Sequence, residues 1–470
     1  MQEECGVFGI YVEDGICDPA EACYLGLYAL QHRGQESAGI AVTGGEDIRL
    51  HRGMGLCSEV FQDGLEKLYG AKIGIGHVRY STTGDSEPVN CQPLVMSYKG
   101  GKLALAHNGN LVNAAVLRRK LEEDGAIFQT TLDTEIMAYL IAKCRDEDMV
   151  ERIRRMMRVV KGSYALVMAT GDRLIGVRDP QGIRPLALGK LGGSFVLASE
   201  SCAFDTVDAE FIRDVRPGEI VVVDENGFQS YQSGITADTA LCIFEYVYFA
   251  RPDSDIDGIS VARAREEMGR RLARAYPVEA DLVGGVPDSA TPSAVGFAEE
   301  SGIPFKLVLA KNRYVGRTFI QPSQSLRERG VKLKLNAMRR NVYGKRVVLI
   351  DDSIVRGTTC KKIVEMLRLA GAREVHMRIS SPPVLCPCFF GIDTPSHEQL
   401  IGSKHTVEEI RKIIGADTLE YLTREDLLKS VEGAGCNFCT GCFDGNYPMD
   451  MKQALAETEG LDLSDFFKED

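Results

Sequence analysis

Two domains of different class are expected from the sequence: an α+β domain built on antiparallel sheet through residue 234, and an α/β domain with a parallel sheet from residue 235 to 470. Three observations lead there. A chain of 470 residues exceeds the length at which one hydrophobic core keeps growing. Up to about residue 230, short apolar strands such as CGVFGIYV, KIGIGHVRY, KLALAHNGNL and GSYALVMAT are separated by Gly-rich turns and two helical stretches. Beyond residue 235 the order becomes strand, loop, helix: DLVGGVPDSA then TPSAVGFAEESG, and KRVVLIDDS then TTCKKIVEMLRLAG, followed by REVHMRIS. That alternation belongs to a parallel sheet with helices on its faces.

Composition narrows the function. Hydrophobic residues make up 44% and charged residues 26%, which suits a folded globular chain. A net charge of -12 argues against a broad nucleic-acid or anionic-membrane surface, so any bound phosphate must be held locally. No stretch approaches the run of about 18 apolar residues that spans a bilayer, and the start MQEEC lacks a basic region followed by an apolar one. A cytoplasmic location is expected. The 14 cysteines then point to reduced thiols, a metal site or catalysis rather than a disulfide scaffold. The acidic tail from about Ala454 is expected to be helical or frayed.

The segment VVLIDDSIVRGTT, Val347 to Thr359, carries the plainest chemistry. A buried strand ends in Asp351 and Asp352, turns through Ser353, Arg356 and Gly357, and enters a helix near Thr358. Backbone N–H groups of the turn, the Thr358 and Thr359 hydroxyls and the positive end of the helix suit a dianionic 5-phosphate. Asp351 and Asp352 suit ribose hydroxyls, or Mg²⁺ held directly or through water, because hard divalent ions take oxygen ligands. This segment resembles the signature of type I phosphoribosyltransferases, which implies binding of phosphoribosyl diphosphate. GGVPDSATPSA places Pro287, Asp288 and Ser289 at a second strand end, where a diphosphate or Mg²⁺ fits, although a simple turn reads equally well. The long basic run KNRYVGRTFIQPSQSLRERGVKLKLN looks like the mobile lid of that family, with Lys311, Arg313, Lys332 and Lys334 as candidate phosphate contacts.

In the first half, Cys5 opens a strand, and four segments follow it: QHRGQESAG, GHVRYSTTG, AHNGNL and DTE. Together with RDPQGIRPL they resemble the class II glutamine amidotransferases, members of the N-terminal-nucleophile hydrolases, whose domain has αββα layers. The resemblance implies that Cys5 becomes residue one after loss of a four-residue propeptide, residues 1–4. Its α-amine, with a reference pKa well below that of Lys, then serves as base for its own thiol. By the same resemblance Asn108 and Gly109 form the oxyanion hole, Arg79 grips the glutamine α-carboxylate and Asp133 pairs with its α-ammonium. Arg33, Gly34 and Ser81 to Gly84 complete the pocket wall.

The chain as a whole resembles the glutamine phosphoribosylpyrophosphate amidotransferase family over nearly all 470 residues. That implies transfer of ammonia from glutamine to phosphoribosyl diphosphate, giving 5-phosphoribosylamine at the entry to de novo purine synthesis. It also implies an internal ammonia channel, a homotetramer and inhibition by purine nucleotides. Cys242, Cys388, Cys439 and Cys442 match the branch that carries one [4Fe-4S] cluster per subunit. Independently, C-x2-C with two distant cysteines supplies four thiolates, to a cluster or to zinc. Cys386 and Cys436 stand beside these positions and leave the choice of ligand open on spacing alone. Two other readings use the same segments: a glutaminase-like hydrolase whose second domain senses a nucleotide, and a non-catalytic regulator that binds phosphoribosyl diphosphate.

Overall fold

The strand Gly6–Tyr11 is buried along its whole length because both of its faces are covered. Side chains alternate along a strand. Val7 and Tyr11 enter a core with Ile75, Ala104, Val167 and Val221, while Phe8 and Ile10 join Leu27, Val78 and Phe204 on the other side. The first core lies between two antiparallel sheets. One has the strand order Glu210–Asp214, Ala187–Leu191, Ser194–Ala198, Gly6–Tyr11, Ile73–Arg79, Ser37–Thr43, Ile48–Met54. The other runs Gly227–Gln232, Glu219–Asp224, Leu174–Arg178, Gly162–Ala169, Gly101–Leu111, Leu94–Tyr98. The helices Pro19–Ala29 and Cys202–Thr206 cover the first sheet, and Ala114–Glu123, Asp133–Lys143 and Met149–Val159 cover the second. The layers are therefore αββα, as expected. In this computed structural model the described residues are 5–463 apart from 14, 81–85, 146–147, 313–334, 393 and 395.

The second half is built on four parallel strands in the order Leu282–Gly285, Arg346–Asp351, Glu374–Ile379, Thr418–Tyr421. Alternation again assigns the faces. Val348 and Ile350 pack with Met268, Ala294 and Phe297, whereas Val347 and Leu349 pack with Ile363, Leu367 and Ile410. Helices on both sides explain why this strand reads as an unbroken apolar run. Among the described residues no helix is long and apolar enough to cross a membrane.

Two connections bind the halves. Leu241–Cys242 pairs in parallel with Phe438–Cys439, bringing the C-terminal region back to the start of the second half. The helix Met451–Gly460 then lies on the first half, where Asn113 Nδ2 donates to Thr458 Oγ1 at 3.0 Å and Lys120 Nζ to the Leu461 carbonyl at 3.0 Å. The acidic tail is thus helical through Gly460, and its helix is docked.

The helices Val261–Ala275 and Thr291–Ser301 touch backbone to backbone. A Cβ on Gly269 would stand 1.9 Å from the Ser293 carbonyl oxygen, and one on Gly296 would stand 1.9 Å from that of Glu266. Either helix would have to move away. Gly296→Ala is therefore expected to destabilise the fold by about 1–3 kcal/mol, read as a lower urea midpoint at unchanged m-value.

Candidate active sites

Cys5 stands at the end of the Gly6–Tyr11 strand, and the register Gly6 opposite Val78 places it beside Arg79 and Tyr80. Its Sγ donates to the Tyr80 carbonyl at 3.4 Å. Asn108 and Gly109 lie on the facing sheet, in the strand Gly101–Leu111. The sheets are bridged at this end: His77, held neutral by burial that lowers its pKa to about 3, donates from Nε2 to the His107 carbonyl at 3.0 Å. His77 is two residues from Arg79, and His107 adjoins Asn108. Asp133 closes the group at the head of its helix, where Oδ2 accepts from the Leu111 amide at 2.9 Å and Oδ1 lies 3.4 Å from His107 Nδ1. Burial pushes the Asp133 carboxyl up, but His107 together with the Leu111 and Thr134 amides outweighs it and holds the group below its ordinary value. Arg79 is buried and bonds Glu36 Oε1 at 3.0 Å. All five expected residues of the first site thus gather at one end of the sheet sandwich.

Asn108 Nδ2 is buried and has no hydrogen-bond partner among the described residues. Leaving a buried amide donor unsatisfied costs about 1–3 kcal/mol, so its retention needs a reason, and an incoming oxygen supplies one. Gly109 has a φ of 148°, in the region that favours glycine, and a Cβ there would meet the Ser163 carbonyl oxygen at 2.1 Å. Ser81 to Gly84 and residues 1–4 lie outside the described residues.

Arg33 departs from expectation. It does not form a pocket wall but is fully buried behind Cys5, with Nε donating to the Cys5 carbonyl at 3.1 Å. Its remaining N–H groups reach Glu200 and, at 2.8 and 3.1 Å, Glu245. Neither acid was singled out in the sequence. Glu245 sits within CIFEYVYFARPDS, and a carboxylate inside so apolar a run was the available signal.

In the second site, parallel pairing of Leu282–Gly285 with Arg346–Asp351 sets two strand ends side by side. Ser289 Oγ donates to Asp352 Oδ2 at 2.6 Å, Ser353 Oγ donates to Asp352 Oδ1 at 2.7 Å, and the Asp352 amide donates to Asp351 Oδ1 at 3.0 Å. Ser289, Asp351, Asp352 and Ser353 therefore form one oxygen-rich cluster. Burial first, then the adjacent Asp352 charge, pushes the Asp351 carboxyl well above its usual range. Two clustered carboxylates of this kind favour a cation. Gly357, with a φ of 76°, caps the helix Thr358–Leu369, so Arg356, Thr358 and Thr359 flank the positive helix end. Lys311 Nζ pairs with Asp288 Oδ2 at 2.6 Å. Arg313, Lys332 and Lys334 lie outside the described residues.

The cysteines are brought together across long sequence distances. Cys242 pairs with Cys439 in the two-stranded parallel ladder, and the amides of Leu385 and Cys386 donate to the Cys442 carbonyl at 2.9 and 3.0 Å. Burial raises the Cys439 thiol to about 12 and the Cys442 thiol well above its ordinary value, with Cys388 adding to both shifts. Such closely set thiols suit a metal that favours their thiolates. Among the described residues, however, no group of three or more His, Cys, Asp or Glu side chains is placed so that it could hold a metal ion. Cys436 turns away, its Sγ 3.6 Å from Asp257 Oδ2.

The fold and the two sites define a glutamine amidotransferase joined to a phosphoribosyltransferase, and residues 77–206 match the glutamine amidotransferase domain family. Over the whole length, the amidophosphoribosyltransferase of Bacillus subtilis is 52% identical over 459 residues, covering 96% of each chain, and that of Archaeoglobus fulgidus is 52% identical over 451 residues, covering 95% of this chain and 98% of the other. A solved structure of glutamine phosphoribosylpyrophosphate amidotransferase from B. subtilis, complexed with ADP and GMP, superposes with a TM-score of 0.89 at 52% identity, covering 95% of this chain and 98% of that one. The chain belongs to the amidophosphoribosyltransferase family, enzymes of the first step of purine biosynthesis.

The raised Asp351 carboxyl has a stability consequence. A carboxyl whose folded pKa lies above its unfolded value favours the fold at low pH and loses that contribution as pH rises through the folded pKa. Asp351→Asn is therefore expected to stabilise the ligand-free protein at pH 7, on the order of 1 kcal/mol, with the gain vanishing below the ordinary carboxylate range. Urea midpoints across pH, in chelator, measure it.

Proposed function

We propose that Cys5 is the glutaminase nucleophile and that the loop Asp351 to Thr359 holds phosphoribosyl diphosphate, within domains spanning 5–234 and 235–470. After removal of residues 1–4, the Cys5 α-amine takes the thiol proton and Sγ attacks the side-chain carbonyl of glutamine. The Asn108 amide and the Gly109 N–H receive the developing oxyanion, Arg79 holds the α-carboxylate and Asp133 the α-ammonium. Ammonia leaves with the returned proton, and water cleaves the thioester to glutamate. The observation that carries this reading is the buried Asn108 Nδ2, which has no hydrogen-bond partner among the described residues.

Ammonia then passes inside the protein and attacks the anomeric carbon, displacing diphosphate. Backbone N–H groups from Ser353 to Gly357, Arg356, and the Thr358 and Thr359 hydroxyls hold the 5-phosphate. Mg²⁺, bound by Asp351, Asp352 and Ser289 directly or through water, would supply counter-charge to the leaving diphosphate. A [4Fe-4S] cluster on Cys242, Cys388, Cys439 and Cys442 would act as a structural cross-link, and the clustered thiols support it. Likeness to a structure holding ADP and GMP supports regulation by purine nucleotides. Exposed Leu369, Tyr343 and Leu307 support assembly, which we take to be a cytoplasmic homotetramer.

Cys5→Ala is expected to abolish diphosphate release driven by glutamine and to keep the reaction driven by ammonia. Loss of both in a folded protein defeats the two-site reading. Asn108→Ala should lower kcat for glutamine by about 10²–10³. For the cluster, anaerobic purification should yield coloured protein with four iron and four sulfide per chain. A colourless, zinc-loaded and active protein refutes it.

A further inference from the structure

Between the two sites lies a buried ionic assembly that neither reaction consumes. Arg33 stands at its centre. Its Nε donates to the Cys5 carbonyl at 3.1 Å, Nη1 reaches Glu200, and Nη1 and Nη2 reach Glu245 at 3.1 and 2.8 Å. The side chains of Arg33, Glu200 and Glu245 are all 0% exposed. Arg184 Nη1 faces Glu245 Oε1 at 3.7 Å. Around Glu200 stand His32 at 2.7 Å, Ser254 Oγ at 2.7 Å, the Arg251 amide at 2.8 Å and Cys202 Sγ at 3.7 Å. Glu245 itself begins the helical turn Glu245–Phe249, anchored by Arg265, whose Nε donates to the Tyr246 carbonyl at 2.7 Å and Nη2 to that of Ala250 at 2.8 Å.

A guanidinium is rigid and planar, so the directions of its N–H groups cannot be chosen independently. Once Nη1 and Nη2 are clamped by carboxylates, the line of Nε–H is set. Here that line ends on the carbonyl of Cys5. A residue that becomes the chain terminus is tethered on one side only, and its carbonyl orientation then governs where its amine and thiol point. Glu200 comes from the antiparallel half of the chain, whereas Glu245 comes from beyond residue 240, past the last strand of that half.

We propose that Glu245 is a positioning residue for the Cys5 nucleophile: its carboxylate holds Arg33 in the plane that fixes the Cys5 carbonyl. The phosphoribosyltransferase half thereby supplies a part of the glutaminase site. This rests on the reading of Cys5 as the nucleophile. It leaves glutamine binding to Arg79 and Asp133. Its failure therefore separates rate from affinity.

The test uses the full chain and two variants. Glu245→Gln keeps the shape but turns one amide N–H toward the guanidinium and removes a negative charge. Glu245→Asp keeps the charge with a shorter reach. Expected for Glu245→Gln is a fall in kcat for glutamine hydrolysis of about 10-fold or more, with KM for glutamine within about 3-fold of the parent. Alkylation of Cys5 by iodoacetamide, mapped by mass spectrometry, should also shift its pH profile downward. The uncompensated Arg33 and Arg184 charges disfavour the ammonium and favour the thiolate. Glu245→Asp should restore the profile and part of kcat. If Glu245→Gln does not fold, Glu245→Asp alone still decides, because a longer gap to Arg33 must lower kcat. Unchanged kcat and an unchanged alkylation profile in a folded variant overturn the proposal. If instead Cys5→Ala keeps the glutamine reaction, the nucleophile assignment itself has failed, and Glu245 is then not the cause.

Discussion

Taking Arg33 out of water obliges the chain to surround it with charge. Burying one such ion without partners costs several kcal/mol even after relaxation, so Glu200 and Glu245 are as necessary as the arginine they meet. Glu200 follows a strand of the first antiparallel sheet, whereas Glu245 belongs to the segment that leads into the parallel domain. The ion cluster can therefore close only when both halves are in place. The rest follows from that closure: Cys5 is held by its carbonyl, the Glu245–Phe249 turn is wedged between the halves, and Arg265 is locked over the same turn.

The second site solves an opposite problem. In a chain with a net charge of -12, the second half sets a carboxylate cluster and the positive end of a helix next to each other at the end of one strand. Asp351 and Asp352 gather at the end of a buried strand, tied to Ser289 and Ser353 by short hydrogen bonds. The clustering has a local electrostatic cost: burial and the adjacent Asp352 charge push the Asp351 carboxyl well above its usual range. The two carboxylates and the turn that follows them are contiguous in sequence because strand end and helix start are contiguous in a βα unit.

The cysteine group shows the same logic at the seam. Cys242 and Cys439 come together only because two short strands pair in parallel across nearly 200 residues of sequence, and the C-terminal helix continues from there onto the first half. Cys436, though adjacent in sequence, turns to Asp257 instead.

Local order in the sequence was enough for the fold class, and it is what singled out the loop Asp351 to Thr359 and the set of Cys5, Arg79, Asn108, Gly109 and Asp133. Strand and helix periodicity are properties of neighbours along the chain, and a phosphate loop is a single turn. The inward turn of Arg33 and the pairing of Lys311 with Asp288 were decided elsewhere. Each depends on which side chain meets which across sheets and domains, and on whether water remains beside it. Glu245 is the sharpest case. In the sequence it is one acid in an apolar run, and only the packed halves place its charge against Arg33.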